Sequence, residues 1–254
     1  MPDQRPRPGL SYQLYSSRKF PPLGETIATL GQLGFDQAEG YGGVYDQAVD
    51  LRRALDTAGM TMPTGHFPLA MLASDPEKVI GIADRLGMST IFCPSLGVED
   101  YPVDAAGWQG FGERLGRIAS RLAAAGLRFG WHNHDYEFQP LSDGSLPLDH
   151  IFSGAPDLAW QFDVAWAVMG GQDPMALISR HAHRILSAHV KDIAPAGTNA
   201  DQDGWTDVGS GTLDWSALFK ALRAAGCSHF VIEHDNPADD RTFASASIMA
   251  ARGY

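Results

Sequence analysis

The 254-residue sequence contains only two cysteines, Cys93 and Cys227. Neither belongs to a Cys-x-x-Cys pair or to any zinc-type spacing, which excludes a disulfide framework and a cysteine-based zinc module. No run of about 18 apolar residues occurs, so no spanning helix is expected. Met1 to Pro8 is polar, with Pro and Arg and no apolar segment of the kind a secretion signal needs; a cytoplasmic protein is the expectation. Basic residues are scarce as well. Nineteen Lys and Arg against thirty Asp and Glu leave a formal net charge of −11, the wrong sign for a protein that lives on phosphate backbones or anionic membranes. A Gly-x-Gly-x-x-Gly opening a helix after the first strand is also lacking, which argues against an open dinucleotide-binding sheet.

What is present is a globular composition, 44% hydrophobic and 19% charged, carrying a weak internal repeat. A helix-like stretch ends in a small residue or Leu plus Gly, and a short apolar run follows that ends in polar residues. Leu33-Gly34 leads into Phe35 to Gly40, Ala58-Gly59 into Met60 to His66, and Leu86-Gly87 into Thr90 to Ser95; Ala125-Gly126 leads into Leu127 to His134, and Ala225-Gly226 into Phe230 to His234. The glycine reads as a left-handed helix end and the continuous apolar run as a buried strand. Leu10 to Tyr15, Leu158 to Val164 and Ile185 to Lys191 bring the strands to eight. Phe111, Leu115, Ile118 and Leu122 share one helical face, and Asp214 caps a helix bearing Leu218, Leu222 and Ala225. Eight strands alternating with helices in one undivided chain of this length predict an α/β fold, a (β/α)₈ TIM barrel spanning 1–254 as a single domain. The longest aperiodic piece, Ala194 to Gly211, reads as a functional loop.

In such a barrel the chemistry sits at the C-terminal ends of the strands. There the sequence places Gln13, Tyr15 and Arg18; Glu39; His66; His132, Asn133, His134, Asp135 and Glu137; Asp163; His189, Lys191 and Asp192; and Glu233, His234 and Asp235. Asp163, His189 and Glu233 come from three successive strands. Two carboxylates and an imidazole at one mouth suit a divalent cation such as Mn²⁺, Mg²⁺, Co²⁺ or Zn²⁺. The plainer alternative has Asp163 capping a turn, His189 satisfied within the core and Glu233 paired with Lys191.

Gln13-Leu14-Tyr15-Ser16 with Arg18, the segment His132-Asn133-His134-Asp135-Tyr136-Glu137-Phe138, Phe162-Asp163-Val164 with Trp166, His189-Val190-Lys191-Asp192, Val208-Gly209-Ser210-Gly211 with Asp214-Trp215, and Val231 to Asp235 occur in this order. The chain thereby resembles the sugar phosphate isomerase/epimerase family of xylose-isomerase-like TIM barrels. The resemblance implies one divalent metal held by Glu, Asp, His and Glu from strands five to eight, and carries the last three roles onto Asp163, His189 and Glu233. Strand five departs from that pattern, with His132 where a glutamate is expected. Alternation gives Glu137 the opposite parity to His132 and His134, so it reaches the metal only if the chain bends or bulges. Glu137 is the expected fourth ligand because it preserves the charge of the site, with His132 the competing choice.

The resulting expectation is a metal-dependent isomerase, epimerase or related lyase that abstracts a proton α to the carbonyl of a small sugar or cyclitol and passes through an enediolate. Glu233 or His134 would serve as base, and Lys191 would stabilise the developing oxyanion or merely pair with Asp192. His66 and His132 would contact hydroxyls, and Arg18 would hold a phosphate or carboxylate. Trp166, like Trp131 and Trp215, would wall the sugar or else belong to the core. Self-association into a homo-oligomer is left open. The alternatives are a sugar-binding or partner subunit with a degenerate metal site and, disfavoured by the charge, an endonuclease IV-like phosphodiesterase.

Overall fold

A computed structural model describes residues 9–254; the polar stretch Met1 to Pro8 lies outside the described residues. The barrel strands are β1 (Leu10–Gln13), β2 (Gln37–Gly40), β3 (Thr61–His66), β4 (Thr90–Cys93), β5 (Arg128–His132), β6 (Ala159–Asp163) and β7 (Ile185–Val190). A two-residue hairpin, β8 (Asp192–Ile193) with β9 (Trp205–Thr206), precedes the closing strand β10 (His229–Ile232). The eight long strands pair in parallel and close as β1-β10-β7-β6-β5-β4-β3-β2. The predicted strands are all there, and the barrel forms as expected. β2 and β3 end where expected, at Gly40 and His66, but the others are shorter at their C-terminal ends than the apolar runs suggested: Leu14 and Tyr15 belong to a 3₁₀ turn, and His134 lies beyond β5. That is where the chain leaves the ladder for the loops of the mouth.

Helices α1 (Leu23–Leu33), α2 (Ala48–Ala58), α3 (Leu69–Ser74), α4 (Pro76–Leu86), α5 (Ala105–Ala123) and α6 (Pro147–Gly154) surround the first half. Helices α7 (Val164–Met169), α8 (Pro174–His181), α9 (Trp215–Ala224) and α10 (Asp240–Ala251) complete the ring. The expected faces are buried: Phe111, Leu115, Ile118 and Leu122 on α5, and Leu218 and Leu222 on α9, whose first turn is capped by Asp214 Oδ1 accepting from Ala217 N at 3.0 Å. Gly34, Gly59 and Gly87 end α1, α2 and α4 with φ of 90°, 68° and 77°, a conformation an L-side chain resists. Helices α5 and α6 approach so closely at Gly112 and Gly154 that a Cβ on either would collide with a carbonyl of the other helix, Ile151 O or Gln109 O.

Strand parity sorts the side chains into two layers. On β6, Trp160 packs on Phe152 of α6 while Gln161 and Asp163 take the alternate positions; on β7, Ser187 and His189 alternate with buried Ala188 and Val190, and Lys191 continues the polar row. Apolar residues thus fill the space between strands and helices, and polar residues fill the barrel's upper interior. No helix among the described residues is long and apolar enough to cross a membrane.

Candidate metal centre and substrate cavity

Asp163, His189 and Glu233 converge, as their positions at successive strand ends predict. Each offers a ligand atom, and these atoms lie within 4.8 Å of one another with all three residues buried. His189 Nδ1 is 2.6 Å from Glu233 Oε2, and 3.8 Å from Asp163 Oδ2. Lys191 Nζ lies 2.9 Å from Glu233 Oε2, 3.2 Å from Asp163 Oδ2 and 2.8 Å from Asp235 Oδ2.

Each plainer role is also visible. Asp163 Oδ1 accepts from Trp166 N at 2.9 Å and caps α7, His189 is fully hydrogen-bonded, and Glu233 pairs with Lys191. One atom is left over. Asp163 Oδ2 is buried with no hydrogen-bond partner; Lys191 is at ion-pair distance but outside hydrogen-bonding geometry. A buried anionic oxygen with an open lone pair costs free energy unless something meets it, and two carboxylates with an imidazole are a fitting donor set for a divalent cation.

His132, not Glu137, stands beside this cluster. His132 Nε2 is 3.9 Å from Asp163 Oδ2, and the ring lies 4.5 Å from that of His189, centroid to centroid. Glu137 lies in a 3₁₀ turn after β5, where its Oε1 accepts from Trp131 Nε1 at 2.8 Å and its Oε2 from His134 N at 2.9 Å. Trp131 packs edge-on against Phe111 of α5, so Glu137 sits with the outward layer. The expectation that Glu137 bends back to the metal is therefore corrected: the chain does bend after His134, but parity is kept and the carboxylate serves the backbone of its own turn.

The charges of the site answer to burial and to one another. Burial would raise Glu233, but Lys191 and His189 hold it well below its ordinary range. Burial would lower His189, but the two carboxylates that flank it, Glu233 and Glu39, raise it to about 10. Burial raises Asp163 despite Lys191 and pushes Asp235 up to about 6. His134 is lowered to about 3 by burial and by the Lys191 charge; it is neutral, and its Nδ1 has no partner.

Above the cluster opens a cavity of about 700 Å³. His66, His132, His134, Trp166 and Glu233 line it, as the sequence led one to expect, and so does Arg18, whose guanidinium lies 3.8 Å from the Tyr15 ring centre. Trp131 belongs to the outward layer, and Trp215, the first residue of α9, packs on Phe219 of the same helix, outside the cavity lining. Tyr15, Tyr41, Asp203, Trp205 and Asp235 also line the cavity, without having been assigned a role from sequence. Asp235 was visible two positions after Glu233, hence on its face. Asp203 and Trp205 come from the aperiodic segment, which folds through the β8–β9 hairpin and is fastened at its tip by Asn236 Nδ2 to Asp201 O (3.1 Å) and Ala238 N to Gln202 Oε1 (3.1 Å).

Comparison with known proteins agrees with the closed barrel and with the order of its motifs: residues 27–251 match the model of the xylose isomerase-like TIM barrel family. The chain belongs to that family. Among curated relatives it is 24% identical over 92% of its length, and 83% of theirs, to the rhizopine catabolism protein MocC of Rhizobium meliloti. It is 21% identical to an inosose dehydratase of Lacticaseibacillus casei over 49% of this chain, spanning 46% of that enzyme. In fold, this xylose isomerase-like barrel superimposes on a sugar phosphate isomerase/epimerase from Parabacteroides distasonis with a TM-score of 0.79, at 20% identity, covering 98% of this chain and 96% of the other. It likewise matches the IolI protein, whose crystal structure has a bound zinc atom, with a TM-score of 0.72 at 15% identity, covering 96% and 95%.

Proposed function

We propose that this protein is a divalent-metal-dependent enzyme acting α to the carbonyl of a small sugar or cyclitol, as an isomerase, epimerase or related lyase. The observation that carries the reading is the open, buried Asp163 Oδ2 in a cluster with His189 and Glu233 at the barrel mouth. Asp163, His189 and Glu233 would hold the cation, with His132 replacing the strand-five carboxylate. When bound, a divalent cation supplies Lewis-acid polarisation of a carbonyl. The names of relatives, an inosose dehydratase and sugar phosphate isomerase/epimerases, fit a polyol substrate.

The chain's own residues supply the rest. Glu233 is taken up by His189 and Lys191, so the proton falls to Asp235, whose position near 6 suits proton transfer close to neutral pH; His134, lowered to about 3, is too weak a base for that task, and its open Nδ1 would instead accept from a substrate hydroxyl. Lys191 is held as a fixed cation by three carboxylates and stabilises negative charge developing on a substrate oxygen. Trp166 and Trp205 pack edge-on at 4.8 Å and offer apolar faces to the substrate. Arg18 is the one cation among the lining residues, against Asp203, Glu233 and Asp235; this balance favours hydroxyl-rich neutral substrates over sugar phosphates. His66 and Arg18, both in the cavity lining, would contact those hydroxyls.

A second reading has one observation in its favour: the Lys191 ammonium already lies among Asp163, Glu233 and Asp235, as a metal-independent binding protein would require. Metal analysis of the purified protein combined with a screen of keto-sugars and cyclitols for solvent deuterium incorporation separates the two. Stoichiometric metal together with metal-dependent exchange of one carbon-bound hydrogen supports the enzyme; absence of both leaves the binding protein.

A further inference from the structure

Beneath the cluster, Glu39, the penultimate residue of β2, is a fully buried carboxylate. Its Oε1 accepts from Gln13 Nε2 at 2.8 Å and meets His189 Nε2 at 2.8 Å; its Oε2 accepts from Gln161 Nε2 at 2.7 Å. His66 Nε2 is 3.2 Å from Oε1. A charge in such a place is costly to desolvate, and an apolar side chain would fill the layer without that cost.

We propose that Glu39 is a positioning residue that sets which ring nitrogen each of His189 and His132 turns toward the metal site. The inference rests on the metal reading above and assigns Glu39 a role within it. A carboxylate has no proton to give, so each His189 nitrogen that meets one carries a hydrogen in the metal-free protein, Nε2 toward Glu39 and Nδ1 toward Glu233; Nδ1, which faces Glu233 and Asp163, is the nitrogen that would give up its hydrogen to a cation, while Nε2–H stays on Glu39. The second step passes through an amide. Gln161 commits its Nε2 to Glu39 Oε2 and Ser187 Oγ (3.1 Å), which fixes the orientation of the amide. Its Oε1 then faces His66 Nε2 at 2.5 Å and His132 Nδ1 at 3.1 Å. A carbonyl oxygen accepts, so His132 Nδ1 carries a hydrogen and Nε2 is free toward Asp163. One charge on β2 thereby orients imidazoles on β5 and β7, the task that outer carboxylates perform for metal-bound histidines generally.

The test compares wild type with Glu39→Gln, which keeps size and removes the charge. Zn²⁺ affinity is measured by competition with a chromophoric chelator, imidazole tautomers by long-range ¹H–¹⁵N correlation spectra, and folding by thermal melts. In Zn²⁺-loaded wild type, His189 should be bound through Nδ1 with Nε2–H retained, and His132 should keep Nδ1–H. Glu39→Gln should weaken Zn²⁺ binding roughly 10- to 100-fold and mix the tautomers. Wild-type His189 bound through Nε2, or an unchanged affinity with only a lowered melting temperature, would overturn the proposal. Should wild type take up no Zn²⁺, the metal reading fails by itself, and the metal-free spectra decide for Glu39: His189 Nε2–H and His132 Nδ1–H lost in Glu39→Gln uphold the orienting role, and both retained refute it. If Glu39→Gln does not fold, Gln161→Leu serves instead, with the His132 tautomer expected to change while that of His189 stays.

Discussion

Asp163 divides its two oxygens between the fold and the site: Oδ1 caps α7, and Oδ2 is open within the cluster. Replacing it should therefore cost some stability as well as function. Asp163→Ala and Glu233→Ala are expected to abolish metal binding and turnover while the barrel still melts cooperatively; metal content and calorimetry check this, and full metal content in either variant overturns the ligand set. At strand five, His132→Gln should weaken metal binding more than Glu137→Gln. The latter instead should lose about 1–3 kcal/mol of stability, because it disturbs two buried hydrogen bonds at Trp131 and His134. For pH, Asp235 sits near 6 because burial disfavours its charge. A base at that position is active when deprotonated, so kcat/KM should rise as pH passes upward through about 6, and Asp235→Asn should remove that limb from the profile. The residues that sequence could bring together are those whose place at the mouth follows from strand position and parity, such as Asp163, His189 and Glu233. Glu39 stood at its strand end as well, but its partners come from Gln13, Gln161 and His189, on strands far apart in the chain, and only closure of the barrel brings them together. Glu137 misled for the opposite reason: its charge suited the metal, while its parity, already odd with respect to His132, put it on the outward side.

The elements follow the chain's own punctuation. Glycines after Leu33, Ala58 and Leu86 end α1, α2 and α4, and the apolar runs after them become β2, β3 and β4, because a left-handed residue and a buried strand are both local consequences of composition. The Ala194 to Gly211 segment gave no such signal, since its hairpin has only two pairs and depends on tertiary ties. It places Asp203 and Trp205 in the cavity lining, so its proposed contribution is to exclude water around bound substrate. Replacing Thr198 to Gly204 by a few glycines should lower turnover much more than metal affinity, and substrate should slow proteolysis of the wild-type loop; unchanged turnover would show that the loop is only a connection. At the α5–α6 crossing, Gly112→Ala should cost about 1–3 kcal/mol, measured by thermal or denaturant melts, because the added methyl meets the Ile151 carbonyl, part of the backbone of α6.

On the scale of the whole molecule, a metal that binds only the folded barrel must stabilise it. With free Zn²⁺ at 100 times its dissociation constant the gain is about 2.7 kcal/mol, which for a domain of this size raises Tm by roughly 5–10 °C. The shift should vanish in Asp163→Ala, and a wild type whose Tm ignores Zn²⁺, Mn²⁺, Co²⁺ and Mg²⁺ alike would favour the metal-independent binding protein.

Asp192 has a consequence for how this barrel can diversify. Its Oδ2 accepts from Gly209 N and Gly211 N, its Oδ1 from Leu213 N, at 2.9, 3.2 and 3.2 Å, and any side chain at Gly211 would strike that carboxylate. The foot of the loop is thus clamped to the residue next to Lys191, while its tip hangs from Asn236 and Ala238. A change of length or composition between about 195 and 204 would then leave the clamped foot, and with it the proposed acid–base residues below, in place. If the cavity takes the proposed substrate, its range would be a property that can be regrafted, with the clamp as the splice site.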